Sequence, residues 1–115
     1  TDNELVTITA IIDLLPVFED YDRDRITHVS GMVADLFEDD DGIDALVGLV
    51  GAALPDHLRE TAYALACDVA AADGRIAETE LRLLEIIRHD LRVGRLAAAA
   101  IERGARARHQ RLEPR

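Results

Sequence analysis

The sequence predicts an all-α fold, a compact and mostly antiparallel bundle of about six helices. Apolar residues recur at spacings of three and four along most of the chain, which is the period of an amphipathic helix. No segment shows the apolar and polar alternation of a half-buried strand. With 115 residues, of which 49% are hydrophobic, the chain has the size of one domain with a single core.

The first predicted helix ends before Pro16, because proline cannot continue an α-helix. Its apolar positions, from Leu5 to Leu15, have helical spacing. Thr1 and Glu4 have the spacing of a capping box, which predicts a helix start at the beginning of the chain. Because the chain begins at this cap without an initiator methionine, we expect residues 1–115 to form a single domain that lacks its first few residues or its first helix.

A second helix is predicted from near Asp22 to Leu36, and the acidic run of residues 38–41 ends it. We interpret this run as a solvated loop with a helix cap, because no glutamate follows at the spacing of a calcium-binding loop. A short third helix covers residues 43–50 and is closed by Pro55.

Pro55 also opens the fourth predicted helix, since proline suits the first helical turn. This helix extends to Asp73, and Gly74 is placed to end it in a left-handed turn. The fifth helix covers Glu78 to Leu91, and the sixth begins near Arg95. The residues expected to face the core are Leu58, Ala62, Leu65, Val69 and Ala72 in the fourth helix, Leu81, Leu84, Ile87 and Leu91 in the fifth, and Leu96, Ala100 and Ile101 in the sixth.

The chain contains an internal similarity at an offset of 76 positions (80 minus 4). Residues 1–5 align with residues 77–81, and the register continues to Val17 and Val93. This similarity predicts two related helical halves.

The charge distribution narrows the classes of partner. A net charge of −10 argues against nucleic acid, because backbone binding depends on neutralising phosphates with basic side chains. The arginine-rich end, residues 103–111, is interpreted as a solvated helix tail, with an anionic partner as the alternative.

No apolar run approaches the length of a membrane span, and the lone Cys67 is expected to be a small buried core residue. These features predict a cytoplasmic protein.

The most informative segment runs from Asp68 to Leu81, where four carboxylates surround a glycine. Clustered carboxylates together bind a hard cation that each alone binds weakly. The segment matches the second half of a calcium loop, but Val69 and Ala71 occupy the first ligand positions and offer no side-chain oxygen. An ordinary EF-hand is therefore rejected, and ligands must come from elsewhere in the chain.

We predict a cation site formed by Asp68, Asp73 and Glu80, with Glu4 contributed by the first half of the repeat. The expected ion is Ca²⁺, ahead of Mg²⁺ or Mn²⁺, and all the predicted ligands are carboxylates, whose oxygens suit a hard cation. The alternative is that these acids only cap helices, as Glu4 does in the box with Thr1.

An enzyme is not expected. The sequence contains no motif that groups a nucleophile, a base and an orienting residue, and it contains no glycine-rich phosphate loop. The four histidines fall in different predicted helices, which argues against a transition-metal site. They are His28, His57, His89 and His109.

A family resemblance covers nearly the whole chain and is clearest from Leu58 to Val93. The pattern Leu65-Ala66-x-Asp68-x3-Ala72-Asp73-Gly74-x-Ile76-x3-Glu80 resembles the TerB-like domain of tellurite-resistance proteins. The resemblance implies an all-helical intracellular domain, often at the inner membrane surface, that is linked to tellurite and other stress resistance and is proposed to bind metal through acidic residues. Those residues map here onto Asp68, Asp73 and Glu80, with Glu4 from the first half, whereas the family's first Asp-Gly element is missing.

The predicted function is a cytoplasmic TerB-like module that binds a divalent cation and acts as a sensor or scaffold among other stress-response proteins. The alternative is a metal-free helical protein-interaction domain whose acidic turn only caps helices.

Overall fold

The computed structural model describes residues 2–20, 22, 24–25, 28–29, 32, 42–72 and 78–112. Within these ranges the protein is helical and contains no strand, so the all-α prediction is confirmed. The α-helices of the described residues are α1 (Asp2–Leu14), α2 (Gly42–Ala53), α3 (Arg59–Ala70), α4 (Glu78–Asp90) and α5 (Arg95–Arg108). Short 3₁₀ helices follow α1 at Pro16–Phe18 and precede α3 at Asp56–Leu58.

The start of the chain follows the predicted pattern where it is described. Helix α1 ends at Leu14, and Pro16 begins the 3₁₀ helix that follows. The predicted second helix lies largely outside the described residues, as do Thr1 and residues 38–41. Four described residues within that predicted helix are helical, namely Arg25, His28, Val29 and Met32. The six-helix count and the two-half repeat stay predictions.

The fourth predicted helix is shorter than expected. Pro55 caps the 3₁₀ helix instead of opening the α-helix, and α3 begins only at Arg59. Helix α3 also ends at Ala70, ahead of the predicted end at Asp73. Its last turn tightens, because the Ala72 N–H donates to the Val69 carbonyl oxygen at 3.2 Å, three residues earlier.

The core lies among α3, α4 and α5. Helices α3 and α5 make the most extensive contact, and small side chains let them approach closely. The buried hydrophobic residues of the described ranges are Tyr63, Cys67, Ala71, Leu84, Leu91, Val93, Ala98 and Ala105. Cys67 is fully buried, which confirms its predicted place in the core.

Several predicted core positions are wrong. Leu96 is 86% exposed and Leu81 is 44% exposed, and Ala100 is also exposed. In α5 the buried positions are Ala98 and Ala105, because the contact with α3 uses small residues, so the apolar Leu96 faces solvent. Along α3 the deepest stripe is formed by Tyr63 and Cys67, and it continues to Ala71 just after the helix, at spacings of four. The residues of the predicted stripe, Leu58, Ala62, Leu65, Val69 and Ala72, are half-buried.

The turn between α4 and α5 is a Schellman motif. The Val93 N–H donates to the Arg88 carbonyl oxygen at 3.1 Å, and the Arg92 N–H donates to the His89 carbonyl oxygen at 3.1 Å. Arg92 has a φ of 58°, the left-handed conformation that this motif requires. Arg88 and Arg59 also donate to carbonyl oxygens of this turn, Val93 and Leu91 respectively.

The structure is compact. Its Cα radius of gyration is 14.2 Å, close to the value of about 13 Å expected for a folded chain of this length. No helix among the described residues is both long and apolar enough to cross a bilayer.

Candidate functional site

The carboxylate of Asp68 is the centre of a polar cluster between α3 and α5. Its Oδ1 accepts hydrogen bonds from Arg108 Nη2 at 2.7 Å and Arg108 Nε at 3.2 Å. His109 Nε2 lies 3.3 Å from the same oxygen and donates to it when that nitrogen carries the proton. The side chain of Asp68 is only 17% exposed, whereas that of Arg108 is 56% exposed.

Helix ends explain why this cluster forms. Asp68 lies in the last turn of α3, where the backbone carries negative partial charge and a carboxylate is unfavourable. Arg108 ends α5, where a cation is favourable, and the α3–α5 packing brings the two helix ends together. Since more than half of Arg108 is exposed, screening limits the contribution of the pair to at most about 1 kcal/mol.

A groove of about 350 Å³ connects this cluster with α1. One wall is the apolar face of α1, and Asp68, Arg108 and His109 form the polar end. The residues that line it on this side are Val6, Thr7, Ala10, Ile11 and Leu14 of α1, and Leu15, which follows the helix. We call this site the α1 groove; it combines an apolar wall with hydrogen-bond donors and an acceptor, which is the composition of a binding site.

The apolar wall of the α1 groove is exposed. Val6 is 67% exposed and Leu14 is 79% exposed, and Ala10 between them also faces solvent. These three positions are spaced by four, so they lie on one face of α1. No described side chain of α1 belongs to the buried core.

A second polar pair lies inside the core. The Tyr63 hydroxyl is hydrogen-bonded to the Cys67 thiol one helical turn later in α3. Burial, the largest effect, raises the pKa of Cys67 to about 11 and raises the pKa of Tyr63 well above its usual range. Both groups are therefore neutral at physiological pH, and the thiol is not a reactive nucleophile.

The predicted cation ligands are described to different extents. Asp68 is described in full and pairs with Arg108 and His109. Glu80 is half-buried in the first turn of α4, and it makes an interaction of its own. Asp73 lies outside the described residues, and Glu4 is placed in α1 without a described side chain. The cluster of these four carboxylates therefore stays a prediction.

The described side chains contain no group of three or more histidine, cysteine, aspartate or glutamate residues that could hold a metal ion. Two residues of these types do lie together, since Asp68 Oδ1 and His109 Nε2 are 3.3 Å apart. What the described site offers is one carboxylate oxygen, one imidazole and one guanidinium beside an apolar wall. This arrangement can recognise an amphipathic ligand by apolar contact and charge-assisted hydrogen bonds.

Sequence reasoning missed Arg108 and His109 as partners of Asp68, because 40 and 41 positions separate them along the chain. The only signal in the sequence was the arginine-rich tail, which is equally typical of a solvated helix end.

Comparison with known protein families, with curated proteins and with solved structures gives no significant match to this chain. The TerB-like resemblance therefore stays a prediction based on the motif around Asp68.

Proposed function

We propose that this chain is a TerB-like helical interaction module, acting in the cytoplasm as a scaffold or sensor for other stress-response proteins. Its partner binds in the α1 groove. The exposed apolar face of α1 next to the Asp68–Arg108 pair is the observation that carries this proposal.

An exposed apolar stripe with a polar margin is typical of a protein-binding surface. Val6, Ala10 and Leu14 leave their apolar surface in water, although α1 packs on α3 along another side. The cluster at Asp68 supplies the polar margin.

Photo-crosslinking in living cells tests the interaction. A photoreactive phenylalanine analogue is placed at Leu14, in the α1 groove, and in a matched control at Leu49, which is 70% exposed on α2 and does not line the groove. We expect a discrete adduct from position 14 that an added Ala10→Arg substitution removes. Equal adducts from the two positions, or none at position 14, would contradict the proposal.

A second proposal is a divalent cation site formed by Asp68, Asp73, Glu80 and Glu4, with Ca²⁺ ahead of Mg²⁺ or Mn²⁺. Two observations favour it. Asp68 and Glu80 lie in the helical turns that flank residues 71–77, and helices α3 and α4 pack on each other. Several carboxylates on such a connection suit an oxygen-seeking cation.

A bound cation has to compete with the Arg108 guanidinium for the carboxylate of Asp68. Calorimetric titration of Ca²⁺, Mg²⁺, Mn²⁺ and Zn²⁺ into metal-stripped protein tests the site. We expect saturable binding that Asp73→Asn weakens and that Arg108→Gln strengthens, because the second substitution removes the competing charge. Absence of saturable heat with Ca²⁺, or equal binding by Asp73→Asn, would leave the metal-free interaction module.

A further inference from the structure

We infer that the partner element of the α1 groove is an amphipathic α-helix that carries acidic residues at one end. This inference rests on the proposed interaction function and adds the chemical class of the partner. It follows from the shape of the groove and from its charge.

The shape of the groove favours a helix over a small molecule. Val6 and Leu14 lie eight positions apart in α1, with Ala10 midway, which is about 12 Å at the rise of an α-helix. The groove is shallow along its apolar wall, since Val6 and Leu14 are 67% and 79% exposed. A small ligand usually loses most of its surface to its pocket, whereas the wall of this groove is open to solvent along Val6 and Leu14. A helix laid along α1 covers all three positions with apolar residues spaced by three and four.

The charge of the groove favours an acidic partner. Among the described residues that line the groove, the carboxylate is that of Asp68, which is mostly buried and already paired, whereas its partner Arg108 is 56% exposed. A ligand therefore meets the cation more readily than the anion. Arg106 and Arg111 are also exposed near this end of α5, so this end is locally basic although the chain carries a net charge of −10. A partner carboxylate is complementary to this local charge.

The Arg108 side chain retains hydrogen-bonding capacity for a ligand. Its Nε and Nη2 donate to Asp68, and guanidinium has five N–H donors on three nitrogens. The third nitrogen, Nη1, lies over Gly104, where a Cβ would be only 3.2 Å away. The glycine thus leaves space for the guanidinium at this position, and a carboxylate can bind it with a charge-assisted hydrogen bond.

An anionic membrane surface presents a related chemistry, but the whole chain argues against it. A protein of net charge −10 is repelled by anionic lipid, and the basic residues of one helix end offer limited compensation. A partner helix with acidic residues at one end places its negative charge only beside the basic end of the groove, so the acidic remainder of the chain repels it less than it repels an anionic membrane.

Selection from a display library provides the test. The library presents helical peptides of about 18 residues, five turns, with one face randomised. It is selected for binding to the wild-type chain and counter-selected against Leu14→Asp, a substitution at a largely exposed position. We expect the enriched peptides to combine apolar residues at spacings of three and four with aspartate or glutamate at one end.

The affinities of the enriched peptides are then measured by fluorescence anisotropy. We expect Arg108→Gln to weaken binding about tenfold, because it removes the charge partner of the acidic residue. The matched control Arg82→Gln, on an exposed arginine of α4 that does not line the groove, should leave affinity unchanged. Thermal melts monitored by circular dichroism confirm that each variant is folded.

The outcomes separate the acidic helical partner inferred here from the interaction function on which it rests. Peptides that need Leu14 but carry basic or neutral ends, or that ignore Arg108→Gln, overturn the acidic partner and leave the interaction function standing. If no enriched peptide prefers the wild-type chain over Leu14→Asp, the helical partner is overturned. Co-flotation of the wild-type chain with phosphatidylglycerol vesicles would then assign the groove to a membrane surface.

Discussion

Gly51 of α2 packs directly against the backbone of Asp90 at the end of α4. A Cβ added to Gly51 would lie 2.7 Å from the Asp90 carbonyl oxygen, a distance that side chains do not tolerate. This close approach lets the apolar helix α2 contact α4 at all, since a larger residue would hold the two backbones apart. Gly51 is therefore a packing requirement of the fold.

We expect Gly51→Ala to lower the free energy of unfolding by about 1 to 3 kcal/mol, because backbone must move to relieve the overlap. Gly48→Ala is the matched control in the same helix, since a Cβ there meets nothing within 4 Å. The control should raise stability by about 0.5 to 1 kcal/mol, the usual gain of alanine over glycine in a helix. Urea denaturation of both variants measures the contrast, and equal effects would remove the packing argument.

Arg92 occupies the left-handed position of the turn between α4 and α5, with a φ of 58°. We expect Arg92→Gly to raise the free energy of unfolding by about 0.5 to 1 kcal/mol, because glycine adopts this conformation without a Cβ penalty. Arg95→Gly, in the first turn of α5 with ordinary helical geometry, should instead lower stability. Thermal and urea denaturation can compare them. A destabilised Arg92→Gly would mean that the Arg92 side chain makes a contribution larger than the backbone strain.

The side chain of Arg59 joins the start of α3 to the end of α4. Its Nη1 donates to the Leu91 carbonyl oxygen at 3.2 Å, and its side chain is only 14% exposed. We expect Arg59→Met to lower the free energy of unfolding by about 1 to 2 kcal/mol, because a carbonyl at a helix end loses its partner.

Asp56→Ala provides the control for Arg59. It removes the 2.9 Å ion pair with Arg59 but leaves the bond to Leu91, and Asp56 is 95% exposed. Stability should change little, since exposed ion pairs contribute little. If the two variants are equally destabilised, the ion pair and not the carbonyl contact would be the important interaction.

The Cys67 thiol should be unreactive in the folded protein. Burial raises its pKa from 9.0 to about 11, so almost no thiolate exists near neutral pH. We expect alkylation of the native chain by iodoacetamide to be slow and to accelerate sharply in urea. Rapid labelling without denaturant would show that α3 and α5 separate readily.

The same shift predicts a loss of stability in alkali. The unfolded thiol ionises near pH 9.0 and the folded thiol near pH 11, so the folded state binds more protons between these values. The contribution of the protonated Cys67 thiol to the free energy of unfolding is complete below pH 9.0 and is lost as pH rises through about 11. We expect the free energy of unfolding to fall across this window, and to fall less steeply in Cys67→Ala. The pH dependence that remains in Cys67→Ala is due partly to Tyr63, because burial also raises the pKa of Tyr63.

Much of the fold could be predicted because helix signals are local. The apolar period and the prolines placed α1 and α2, and the starts of α4 and α5 were predicted within a residue. The end of α3 could not be placed in this way. Gly74 suggested a helix that continues to Asp73, but the backbone tightens after Ala70, and no local pattern records that.

The candidate site was predictable only in part. Asp68 stands out in the sequence as one of the four carboxylates clustered around Gly74. Its partner Arg108 could not be identified among several arginines of the same tail, since the choice depends on how α5 lies against α3. The α1 groove was not predicted, because apolar spacing alone does not tell a buried stripe from an exposed one.

The sequence by itself determined that this protein is helical and acidic and has one buried cysteine, because period, charge and composition act locally or as sums over the chain. Tertiary structure decided which face of each helix is buried. The pairing of small residues between α3 and α5 left Leu96 exposed, and the docking of α1 outside the core left Val6 and Leu14 in solvent. These outcomes depend on close packing between distant segments, where the fit of whole surfaces, and not the polarity of single residues, selects the contact.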